Sequence, residues 1–344
     1  MKKMLPFLLM LFLIAEYHPT QAQNFEDPVV YLEFIGKQQT NISKKFLSYA
    51  SASAHGKKAK KVDVLRTELL DEVQNARMNI AEMPPFNGDK KYRDTAVSFM
   101  KLYYNVLNED YGKIVNMEEV AEQSYDLMEA YMLAKELAEK KLDVANDRFM
   151  DGQKKFASNN NIKLLEGSSE LETMMEDLGA LNVYYNELYL IFFRPFKQEV
   201  YLMEAIEKSN ITSIEQNKNS LKKYAEEGLV KLATIRAFKG DVSVLNSCKK
   251  LLEFYVKEAD KTSAASEYFL TKERFETIKK DFEKKTDRTK ADVDNFNKLV
   301  NETNIASQAY NKNVNEMNAS RKTALDNWNQ ATEQFFDTHT PHYD

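Results

Sequence analysis

The chain has 344 residues and carries 48 Lys and Arg against 53 Asp and Glu, a formal net charge of −5. Its 9 glycines are nowhere closer together than Gly167 and Gly179 or Gly228 and Gly240, which excludes any phosphate-cradling loop of clustered glycines. A single cysteine, Cys248, excludes an internal disulfide, and the mildly acidic balance argues against general nucleic-acid binding.

Residues 1–22 read as a cleavable export signal. Lys2 and Lys3 precede the apolar run Met4 to Ala15, and the small residue Ala22 closes a polar stretch. That run is shorter than the ~20 residues a membrane-spanning helix needs, and no later stretch is apolar enough to cross. The expected location is periplasmic, outer-surface-associated or secreted.

From there on the pattern is helical. Apolar residues recur at steps of three and four, and the period-two alternation of strands is missing. Breakers divide the pattern into eight helices, at 28–53, 57–83, 89–110, 117–157, 170–208, 213–238, 241–284 and 288–337. Asp27-Pro28 opens the first, with Pro where a missing N–H is harmless. Lys57, Lys58, Lys60 and Lys61 make a basic turn, read as a solvated face or a contact for anionic surfaces. Asn116 with Glu119 and Ser169 with Glu172 are spaced as capping boxes. Pro195 falls inside the fifth pattern and predicts a kink. Around it Tyr184, Tyr185, Tyr189, Phe192, Phe193, Phe196 and Tyr201 cover more than one face, as in a central helix packed on both sides. Cys248 shares an apolar line with Leu245, Leu252 and Tyr255 and reads as core. The last helix carries one seam from Val293 through Met317, Arg321, Ala324 and Trp328 to Phe335.

The predicted fold is all-α: two tandem elongated antiparallel helical bundles. The first spans 23–158, a linker at 159–169 follows the polar run Ser158 to Asn161, the second and longer bundle spans 170–338, and 339–344 is a loose tail. The halves share spaced matches. Gly88-Asp89 recurs as Gly240-Asp241 and Phe99, Met100, Tyr103 as Leu251, Leu252, Tyr255, both 152 residues later. Ala145, Asp147 and Phe149 match Ala324, Asp326 and Trp328 at 179. Heptads also match one another by chance, so duplication and coincidence both stand at this level.

Catalytic patterns are absent. No HExxH or GxSxG occurs and no Glu lies three residues before a His, which removes zincin, di-iron ExxH and serine-elbow chemistry. His339-x-x-His342 surrounds Pro341 in the tail and makes at best a weak metal pair. The expectation is a non-enzymatic interaction or scaffold protein of the cell envelope, without cofactor or metal and with another envelope or surface protein as partner. Two alternatives stand beside it: a module holding a small apolar or aromatic ligand between helices near Tyr184 to Tyr201, and, least favoured, a carboxylate-based envelope enzyme. The candidate contact is the only dense Pro/Gly cluster, Pro84, Pro85, Phe86, Asn87, Gly88 and Asp89, with Tyr92 and Arg93. Two prolines fix its backbone, Phe86 offers exposed aromatic area and Arg93 a planar donor fork. The competing reading is a stiff corner in which Asp89 caps the next helix.

A family resemblance rests on Val30-Tyr31-Leu32-Glu33-Phe34-Ile35, on the Pro84 to Asp89 loop, and on the runs Lys101 to Tyr111 and Lys113 to Asp126. These segments resemble exported proteins of Bacteroidetes-type bacteria grouped under a Leptospira surface-protein name. The likeness is densest over 84–134 and thinner in the second half. It implies an exported, surface-associated helical protein and assigns no activity.

Overall fold

The computed structural model describes residues 25–55, 58–110, 123–164 and 169–343. The expected signal, Lys57 and the Asn116–Glu119 capping box lie outside them. Eight α-helices follow one another: α1 Pro28–Ala54, α2 Ala59–Ala81, α3 Lys91–Asn105, α4 Tyr125–Asn159, α5 Glu170–Glu207, α6 Ile211–Leu232, α7 Ser243–Lys284 and α8 Lys290–His339. A π-helical turn, Val106–Asp110, extends α3. The described residues contain no strand, and the chain is an all-α helical bundle protein. No described helix is long and apolar enough to cross a membrane.

Local chemistry sets the helix ends. Asp27 Oδ1 accepts from the Val29 and Val30 amides at 2.7 and 3.3 Å, satisfying donors that the first turn leaves open. Ser169 and Glu172 form the expected reciprocal box, at 3.2 and 3.3 Å. Pro195 lies within α5, which continues through it. The α4 helix runs through Ser158 and ends at Asn159; beyond its cap Asn160, Asn161 adopts a left-handed φ of 55° and the Ile162 amide reaches back to Ala157 O at 2.9 Å. The sixth helix ends at Leu232, six residues short of the expected 238. Ile235 and Phe238 prolong the apolar spacing there, but Lys239 and Gly240 adopt φ of 50° and 88° and turn the chain.

Two compact units result, Met1–Asn186 with Phe336–Asp344, and Glu187–Phe335. The division lies inside α5 and not at 159–169, because the first half of α5 packs with unit 1 although a polar run precedes it. In unit 1 consecutive helices pack pairwise, α1 on α2, α2 on α3, α3 on α4. Their shared core contains Ile35 and Ile42, Leu69, Val73 and Ile80, Phe99 and Met100, and Phe149. Burial of each such side chain contributes roughly 1.5–3 kcal/mol. In unit 2, α6 packs on α7, and Cys248 is fully buried as expected, its thiol pushed up to about 12 by desolvation. Phe192 stacks on Trp328 at 4.7 Å, so the aromatic α5 segment is core there.

The two units repeat one plan. At an offset of 152, buried residues fall on buried residues: Leu69 on Leu221, Val73 on Ala225, Ile80 on Leu232, Phe86 on Phe238, Ala96 on Cys248 and Tyr103 on Tyr255. At 179, Phe149 falls on Trp328. The corners coincide as well. Phe86 and Asp89 exchange backbone hydrogen bonds at 3.0 and 2.8 Å, and Phe238 and Asp241 at 3.2 and 2.8 Å. The intervening φ values are 48° and 85° in one and 50° and 88° in the other. Each aspartate then accepts from the amide two residues on, Lys91 at 2.8 Å and Ser243 at 2.7 Å. Heptad coincidence does not produce a matched pair of left-handed residues.

The C-terminal residues are not a loose tail. Thr340 is buried, the Tyr343 amide donates to Ser51 Oγ at 3.2 Å, and His342 stacks on His55 with ring centroids 3.8 Å apart. His55 Nδ1 lies 2.8 Å from Asp337 Oδ1. The apolar and polar surface at the end of α1 captures these residues, a pairing too distant in sequence for spacing to reveal.

Candidate functional site

The corner after α2 is rigid because side chains of α1 and α3 bind its backbone. Tyr31 Oη donates to Pro84 O at 3.0 Å, and Arg93 Nη1 donates to Met83 O at 2.8 Å. Asn87 and Gly88 supply the two successive positive φ values of a tight two-residue turn, a conformation that Asn-Gly favours.

Two expected roles are corrected here. Phe86 is only 6% exposed. It packs edge-on against Tyr31 and Phe156, with centroids at 5.4 and 5.1 Å, instead of offering apolar area to a partner. Arg93 spends its guanidinium on Met83 O and on the Asp94 carboxylate, with Nε at 2.9 Å. For these two side chains the stiff corner is the right description. Tyr92 is buried too, tilted against Phe156 at 5.0 Å. Pro84, Pro85, Asn87, Gly88 and Asp89 remain exposed.

Beside the turn lies a groove of about 730 Å³. One wall is the turn itself, with Asn87, Asp89 and Lys91; the floor is Tyr31, Phe86, Tyr92 and Phe156. The opposite wall is α4, which delivers Arg148, Asp151, Lys155 and Asn159 at helical spacing. Lys91, Arg148 and Lys155 form no ion pair among the described residues. Three cations face two carboxylates, so the groove is locally positive on an acidic chain. The Tyr92 hydroxyl is buried without a hydrogen-bond partner, and desolvation raises its pKa well above the usual phenol value. An unmet buried hydroxyl costs about 1–3 kcal/mol.

Unit 2 repeats the turn without this chemistry. Val244 replaces Tyr92, Ser243 replaces Lys91, and Asn327, Gln330 and Gln334 replace Arg148, Asp151 and Lys155. The sequence singled out the turn and missed the α4 residues. Their signal was the three-and-four spacing of Arg148, Asp151, Lys155 and Asn159; what was missing was that α4 lies against α3. Lys58, Lys60 and Lys61, from the basic turn, are exposed as a solvated face would be. Among the described residues no three His, Cys, Asp or Glu side chains converge to hold a metal ion. Comparison with models of known protein families, with curated proteins and with solved structures gave no match to this chain.

Proposed function

We propose that this is an exported, non-enzymatic interaction protein of the cell envelope or surface, akin to the exported helical proteins that residues 84–134 resemble. The groove of unit 1 is its contact site, and its partner is an envelope protein presenting acidic side chains. The reading is carried by one observation: unpaired cations and an orphan buried hydroxyl surround a pinned turn in one repeat and are replaced by neutral residues in the other. A rigid rim loses little conformational entropy on binding, and Arg and Tyr are favoured at interface centres.

The test is recovery of partners from envelope extract with the wild type and with an Arg148→Ala, Lys155→Ala double variant. Both substitutions lie on the exposed face of α4 and should leave the melting temperature within a degree or two. Selective loss of a recovered protein supports the site; identical recovery removes it. Salt sensitivity of the same complex checks the electrostatic component, since exposed charge pairs are screened within ~10 Å at 0.1 M salt.

A further inference from the structure

In unit 2 the helices α5, α7 and α8 bring three charged side chains into the interior. Arg321 pairs through Nε with Glu199 and through Nη2 with Glu258. Its remaining donors reach Met203 Sδ at 3.2 Å and Asn318 Oδ1 at 2.6 Å. Glu199 and Glu258 are 3% and 1% exposed. At the corresponding places, 152 and 179 residues earlier, unit 1 has Leu47, Val106 and Leu142, all apolar and all in its core region. Replacing such a layer by a buried ion triad commonly lowers stability, because desolvation outweighs the attraction. The second repeat therefore carries a polar layer that the fold does not require.

Next to this layer is a cavity of about 100 Å³, lined by Met203, Ile206, Tyr310, Val314 and Met317, with Glu258 and Arg321 at its polar end. Arg321 Nε and Glu199 Oε1 meet only each other, as an ion pair without a well-formed hydrogen bond, and Glu258 Oε2, which borders the cavity, is buried with no hydrogen-bond partner among the described residues. Two carboxylates against one guanidinium leave one negative charge in excess. With only two carboxylates, both engaged by the guanidinium, the site is too poor in oxygen ligands for a divalent ion.

We infer that this cavity binds a small organic cation, a primary alkylammonium ion of about four carbons. Its ammonium group sits on Glu258 Oε2, and its carbon chain packs among Met203, Ile206, Val314 and Met317. The site is independent of the unit 1 groove and recasts, with a different ligand chemistry, the idea of a small molecule held between helices. The groups facing Glu258 are Glu199 from α5, Tyr255 from its own helix and Arg321 from α8, with Lys261 at the rim. Desolvation and then Glu199 push the Glu258 carboxyl up to about 8, against the pull of Arg321. Below that pH the ammonium ion must displace a proton, which leaves to solvent. Affinity thus falls about tenfold for each pH unit below 8.

The experiment uses the full chain with n-butylammonium chloride as probe, 1-butanol as its uncharged counterpart and sodium chloride as ionic control. Thermal melting at pH 8 should rise saturably with n-butylammonium and stay unchanged with the other two. Calorimetric titration at pH 7 in buffers of different ionisation enthalpy should show proton release. Glu258→Gln should abolish the shift. Ala265→Leu, which fills the cavity while keeping the charges, should abolish it as well and decides the matter if Glu258→Gln does not fold. Equal shifts from butanol and butylammonium, a shift surviving in either variant, or no shift at millimolar probe would overturn the proposal.

Discussion

Glu258 links the interior of unit 2 to pH. Its carboxyl is raised from 4.5 to about 8, so the folded chain holds a proton that the unfolded chain has released between those values. The contribution is full below about 4.5 and is lost as pH rises through 8, by up to ~1.4 kcal/mol per pH unit. Wild-type stability should therefore decline from pH 5 to pH 9 relative to Glu258→Gln; parallel urea melts across that range would refute the buried proton. At the first site, Phe86→Ala removes a ring from the Tyr31–Phe156 cluster and should lower stability by about 3–5 kcal/mol. Tyr92→Phe deletes only an unmet hydroxyl and should leave stability equal or raise it by ~1 kcal/mol, while weakening partner recovery. A Tyr92→Phe loss of several kcal/mol by urea melting would mean that the hydroxyl is bonded after all. The burial of Cys248 was readable because it lies on a periodic apolar line. Phe86 was misjudged because a Pro-Pro-Phe corner has no period, and its neighbours Tyr31 and Phe156 come from α1 and α4. Arg321 was visible on a seam, but the acids facing it belong to two other helices.

At the scale of elements, periodicity placed all eight helices, and caps such as Asp27 and Ser169 fixed their starts. It overran where chemistry interrupted a continuing apolar pattern, as after Leu232. The matched corners make a shared prediction. Gly88 and Gly240 hold φ of 85° and 88°, and an added Cβ at either would meet nothing within 4 Å. Gly88→Ala and Gly240→Ala should therefore each destabilise through backbone strain alone, by about 1–2 kcal/mol. Urea midpoints that do not move would show that the corner can relax. Only the unit 1 turn was recognisable as a candidate site, through its prolines. The groove it borders needs Arg148 and Lys155, and spacing along one helix cannot say which neighbour that helix packs against.

For the whole molecule, the shared plan was half legible: Gly-Asp and the α3 and α7 seams matched, whereas the matching burial and the matching left-handed corners required coordinates. Unit 1 comprises the chain up to Asn186 and then Phe336–Asp344, with unit 2 inserted between. The residues that stack on His55 and bond to Ser51 are thus synthesised after the whole of unit 2. A truncated chain ending at Phe335 should keep unit 2 protease-resistant and open cleavage sites near the end of α1; equal resistance would show the clasp to be dispensable. The consequence is one of timing. A polypeptide emerging from the ribosome can complete unit 2 before unit 1, and until residues 336–343 appear the leading segment stays incompletely closed.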